Sequence, residues 1–266
     1  MNLFRREIKK NFKSFLFWTI ALVGINALML ATFESVAQQA EAIKSSYAGY
    51  PEAFIKAFNL DTLEMTDILH FFASRSYLVI TVIGSIYVII LAATILSKEE
   101  SDRTIEFLMS KPITRKSIVT SKILCTTFYV TMLNLVFSVS NFILMSLLKV
   151  QDFDMAGFLL ISIGPWFIHI IFAAIGLALS VYITKSKTIL SLSIGIVFIE
   201  YFFSILPSME DSLTFFQYLT PFSYYGTSDL IVNTEIQGVY LLLTFLIVVI
   251  ATIATYAMFF IKDIEA

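Results

Sequence analysis

Six runs of apolar residues, at about 15–33, 76–96, 122–148, 157–183, 188–206 and 238–261, each have the length of a membrane-crossing helix. About 20 residues span a hydrocarbon core of about 30 Å. Backbone N–H and C=O groups find no water in lipid, so runs of this length are expected to be helices whose hydrogen bonds close within the segment. Composition agrees, with 58% apolar and 14% charged residues, where a soluble domain has about 45–50% apolar. The expected fold is all-α and integral to the membrane, with six transmembrane helices in one domain over 1–266. Basic residues precede the first run, as in a secretory signal. Its apolar stretch of about 19 residues nevertheless exceeds a signal core of about 7–15, which makes it a retained helix. Cys125 is the only cysteine and excludes an intrachain disulfide.

Orientation follows from lysine and arginine. An even number of spans puts both termini on one side with the connections 97–121 and 184–187. That side holds 14 of the 18 basic residues, and the other keeps Lys44, Lys56, Arg75 and Lys149. The positive-inside rule makes both termini and the stretch 97–121 cytoplasmic. Acidic residues lean the other way: 12 of 20 fall outside, 7 inside, and Glu200 lies within a span.

The connections carry their own patterns. In residues 1–14 and just beyond, Phe4, Ile8, Phe12 and Phe15/Leu16 recur at helical spacing, with basic residues opposite. They predict an interfacial helix that turns into the first span, the plainer alternative being ordinary basic flanks. The outer loop 34–72 has apolar residues spaced for short amphipathic helices, among them Phe54 and Phe58. The aromatic-rich segment 207–236 reads as an outer re-entrant pair interrupted by proline and glycine.

The polar stretch "SKEESDRTIEFLMSKPITRKS" (97–117) stands apart from its apolar surroundings. Ser97 and Glu100 have capping-box spacing, and Glu99, Glu100 and Asp102 suit the positive end of a helix dipole. A helix is therefore expected to start near Ser97. Ile105, Leu108 and Met109 form one apolar stripe, which ends before Pro112. Thr114 is placed to cap the next helix. A short amphipathic helix of this kind suits docking into a groove on a soluble partner, and it equally suits resting on lipid.

The same stretch resembles the segment after the second span of type 2 ABC transporter permeases: acidic residues, then Gly-Thr-x-Glu-x-Leu-Leu, then Pro-Ile/Val-Ser/Thr-Arg. The matching positions are Glu99, Glu100, Thr104, Glu106, Leu108, Pro112, Ile113, Thr114 and Arg115, and Arg103 departs from the usual glycine. "YLTPFSYYGTSDLI" (218–231) is similar to a weaker signature before the last span. The resemblance implies a permease half of an ATP-driven exporter, with 97–111 as the coupling helix. Glu99, Glu106 and Arg115 would be its polar flanks, and Ile105, Leu108 and Met109 its anchors in a cleft of a soluble ATPase. Two permeases, identical or paralogous, would pair with two ATPases, which carry the ATP and magnesium. The nine glycines nowhere form G-x-x-x-x-G-K-[ST], so the chain has no P-loop of its own and is read as a non-enzyme without cofactors.

Rival classes are weaker. An ion-coupled secondary transporter needs a titrating group inside the membrane, and Glu200 is the candidate; a polar group of the cavity and an interfacial residue are its other readings. With Tyr201 it is the residue expected on a translocation path. His70 and His169 are the only histidines, and no nucleophile motif accompanies them, which argues against an intramembrane enzyme. His169 reads as a packed polar group. Nothing suggests a nucleic-acid partner. The compact chain resembles exporters of peptides, including phenol-soluble modulins, and the aromatic spans suit amphipathic or apolar cargo.

Overall fold

A computed structural model describes residues 2–51, 54–55, 64–101, 113–148, 153–183 and 185–262. The regular structure among them is helical throughout. It comprises α1 (Asn2–Ala31), α2 (Phe33–Gln38), α3 (Ala40–Ser46), α4 (Ile68–Leu78), α5 (Gly84–Ser101), α6 (Arg115–Leu148), α7 (Met155–Tyr182), α8 (Ser186–Ile205), α9 (Pro221–Tyr224) and α10 (Gly238–Ile261). A π-helical turn, Val79–Ile83, joins α4 to α5 as one long span. Among the described residues six helical stretches are long and apolar enough to cross a membrane, as the hydropathy pattern requires.

Spans two and four form the centre. Their most apolar windows are 72% and 56% buried within the protein, against 17 to 33% for the other four. The peripheral spans therefore turn most of their apolar surface away from the bundle. Hydrophobic burial gives little drive between helices in lipid, so close contact has to come from small residues and polar links. A Cβ on Gly176 of α7 would lie 2.8 Å from both Ala92 Cβ and the Ile89 carbonyl oxygen of α5, and only hydrogen fits there. Gly84 does the same for His169, whose Nε2 would be 2.6 Å from an added Cβ.

His169 is fully buried and cross-links three spans, in agreement with its reading as a packed polar group. Asn134 Nδ2 donates to Val130 O at 2.8 Å and to His169 Nδ1 at 2.9 Å. An amide nitrogen only donates, so Nδ1 accepts, and Nε2–H donates to Ile80 O in the π-turn at 3.0 Å. Asn26 donates to Asn141 between the first and third spans, and Trp166 Nε1 donates to Thr131 Oγ1 at 3.1 Å.

Several boundaries differ from expectation. Residues 1–14 do not form a separate interfacial helix, because α1 runs unbroken from Asn2 to Ala31. The cause is its buried line Leu3–Glu7–Asn11, which packs the basic segment onto the bundle. The second span begins at Ile68, inside the expected outer loop 34–72, since Asp67 Oδ1 accepts from Leu69 N at 2.7 Å and His70 N at 3.0 Å. Arg75 is accommodated there with its guanidinium 5.3 Å from the Phe71 ring centroid. Segment 207–236 forms short helical turns in place of a pair of regular helices. Tyrosines pin it down: Tyr77 donates to Tyr225 O at 2.6 Å, the Tyr225 ring stacks on Phe167 at 5.0 Å, and Tyr224 stacks on Tyr240 at 5.2 Å.

Candidate functional site at the terminus-bearing end

The expectation that Ser97 starts a helix is corrected. Helix α5 passes through it to Ser101, and the hydroxyl donates to Ala93 O at 2.9 Å, one turn back. The residues before Ser97 are already helical, so no free N–H groups remain for it to cap. Glu99 thus sits near the carbonyl end of α5, where the helix dipole disfavours a carboxylate and cations are needed nearby.

Those cations are supplied by other helices. Lys122 Nζ on α6 lies 3.0 Å from Glu99 Oε1 and 2.9 Å from Glu7 Oε1 on α1, the second contact being an ion pair without hydrogen-bond angles. All three side chains are at most 1% exposed. Two carboxylates and one ammonium leave the buried core of the cluster one charge negative. Arg6 and Lys10, on the half-exposed rim, offset this at 3.3 and 3.6 Å from the Glu99 carboxylate. Glu99 is therefore not a solvated flank but the buried junction of α1, α5 and α6.

The other side of this end is also fastened. Thr114 caps α6 as expected, accepting from Ser117 N at 3.2 Å. Arg115 is not a free flank either: Nη1 donates to the carbonyls of Phe259, Phe260 and Lys262 at 3.0, 3.1 and 2.9 Å. It closes the carbonyl end of α10, where a cation is favoured. Lys262 Nζ donates in turn to Val181 O at 2.5 Å, tying α10 to α7. Between Ser101 and Ile113 the site residues Arg103, Thr104, Ile105, Glu106, Leu108, Met109 and Pro112 lie outside the described residues, as does the Glu100 side chain. Both roots of that segment are thus anchored by buried or half-buried charge.

The tentative path residues lie at the opposite end. Glu200 is half-buried on α8, and its Oε2 has no hydrogen-bond partner among the described residues. Its backbone oxygen accepts from Thr220 Oγ1 at 2.7 Å. Tyr201 lines a cavity of about 460 Å³ between spans two and five, the outer turns and the start of α10, whereas Glu200 is not among the lining residues. Tyr224, in the outer turns, is pushed up to about 12 by burial and by the nearby Glu200 carboxylate, which keeps its hydroxyl a donor to Tyr218 O at 2.7 Å.

The role of Glu7 and Lys122 in the cluster was not anticipated from sequence. The available signals were an acid on the helical line of Leu3 and Asn11 and a lysine at the very edge of an apolar run. Among curated proteins, none matches the chain. The model of the ABC-2 family transporter protein matches residues 1–264, and with six candidate spans among the described residues the chain belongs to this family as a transmembrane permease subunit of an ABC transporter.

Proposed function

We propose that the chain is the permease of an ATP-driven exporter, energised by a separate soluble ATPase that docks on the segment 97–111 at the cytoplasmic end. The observation that carries this reading is the charge cluster at the root of that segment. Glu99 ties the end of span two to α1 and α6 through Lys122 and Glu7, so a push on the segment is transmitted to three spans at once. Family membership supports an ATPase partner, and a sequence without a P-loop is consistent with one. Two permeases, as a homodimer or with a paralogue, would assemble with two ATPases holding ATP and magnesium. The cargo is amphipathic or apolar, with peptides as the favoured class, and Glu200 and Tyr201 belong to its path.

Coexpression with the cognate ATPase tests the docking. In the cleft reading Leu108 sits against apolar surface of the partner, and a charge placed there is costly. Leu108→Asp is expected to abolish ATPase copurification and cargo-stimulated hydrolysis, and Leu108→Met to preserve both. Copurification unchanged in Leu108→Asp would mean that the segment rests on lipid instead. The Glu200 oxygen without a partner among the described residues favours one second reading, an ion-coupled transporter. Transport driven by a proton gradient without ATP, and abolished in Glu200→Gln, would establish it.

A further inference from the structure

The cavity at the end away from the termini is unlike the rest of this apolar chain. Its volume of about 460 Å³ falls within the range of about 300–1,000 Å³ typical of small-molecule sites. Its wall combines the aromatic side chains of Tyr77, Tyr201, Phe222 and Tyr240 with hydroxyls and the amides of Gln217 and Gln237. Among the described lining residues Asp229 is the one that carries a charge.

The Asp229 carboxylate is held in place rather than left to solvent. Oδ1 accepts from Asn233 Nδ2 at 2.8 Å and Oδ2 from Gln237 Nε2 at 3.1 Å. The chain turns back to make this possible through Thr234, whose φ of 51° is the only positive value at a non-glycine residue described, and Glu235 N donates to Asp229 O at 3.1 Å. Neutral amides orient a carboxylate but leave its charge. Among the described residues no lysine, arginine or histidine pairs with it. Each oxygen keeps a lone pair for a further donor. The side chains of Tyr201 and Gln217 make no hydrogen bond within the described chain, so they too present unused capacity at the wall.

We infer that this cavity is a binding site for an organic ammonium ion of drug size, paired with Asp229 and faced by Tyr201 and Tyr240. A fixed carboxylate in one cavity with electron-rich rings is the chemistry that recognises ammonium groups, through charge and through the ring quadrupole. An anion meets no cation among the described lining residues. The inference goes beyond the exporter reading and does not depend on it, because binding concerns this chain alone.

The test uses the full chain in nanodiscs of phosphatidylglycerol, whose headgroup has no amine, without nucleotide or ATPase. Calorimetric titration with benzyltrimethylammonium, corrected for empty discs, is expected to show saturable binding, with benzenesulfonate and glucose showing none. Asp229→Asn should weaken the affinity at least tenfold. Tyr201→Leu, which removes no hydrogen bond of the fold, should weaken it about threefold, as loss of one cation–π contact does. Wild-type affinity in either variant, or equal binding of glucose or benzenesulfonate, would overturn the assignment. Should Asp229→Asn loosen its turn and fail to fold, Tyr201→Leu decides alone. A negative result leaves ATPase docking untouched, just as loss of docking in Leu108→Asp leaves this site untouched.

Discussion

Lys122 is shared by two buried carboxylates, and that asymmetry decides what each substitution does. Removing one partner of a buried pair costs about 3–5 kcal/mol, because the remaining charge is left without compensation. Lys122→Met strands both Glu7 and Glu99, although Arg6 and Lys10 still reach Glu99 from the rim. Glu7 has no such reserve and becomes the stranded charge. Glu99→Gln leaves Lys122 with Glu7 at 2.9 Å and should be milder. Melting of the purified chain in detergent is therefore expected to rank wild type, then Glu99→Gln, then Lys122→Met, and adding Glu7→Gln to Lys122→Met should recover part of the loss. Equal melting of Lys122→Met and wild type would show that the cluster is not held as described. Arg115 follows the same logic: it closes three backbone carbonyls, so its role is larger than that of a rim charge.

Among the elements, the pair α5 and α7 sets the architecture, because its close approach depends on one hydrogen at Gly176. Gly176→Ala places a methyl 2.8 Å from both Ala92 Cβ and Ile89 O, and the backbone oxygen cannot swing aside. Overpacking of this kind costs about 1–3 kcal/mol. Gly195 on peripheral α8 has nothing within 4 Å of an added Cβ, so Gly195→Ala serves as the matched control. The first substitution is expected to lower the melting temperature clearly and the second to leave it unchanged, and the reverse order would refute the central role of this pair. The spans themselves were legible because lipid imposes length and apolarity on each segment locally. What failed was reasoning from single local signals. Arg75 marked the expected edge of span two, yet its charge is placed over Phe71 and the true start is the Asp67 cap. Ser97 had the spacing of a cap, but a residue already preceded by helix has no free N–H groups to bind. The burial of Glu99 was not readable at all, since its partners are 23 residues away at Lys122 and 93 away at Arg6, brought together only by the packing of three spans.

For the molecule as a whole, the two ends differ in chemistry, and that difference predicts its orientation. One end gathers both termini, the ion cluster around Lys122 and the Arg115 and Lys262 fastenings. The other gathers the tyrosine-pinned turns, Asp229 and the cavity. With 14 of 18 basic residues on the first side in the sequence, the positive-inside rule predicts that this side faces the cytoplasm, where a soluble ATPase would have access. Cys125 is fully buried, so a membrane-impermeant maleimide should label the native chain poorly and give a clean background. Lys9 and Ser212 are both exposed and lie at opposite ends. In intact cells Ser212→Cys is expected to react with the reagent and Lys9→Cys to react only after permeabilisation. The inverse pattern would put the charge cluster outside the cell, beyond the reach of any cytoplasmic ATPase, and the coupling role of 97–111 would fall with it.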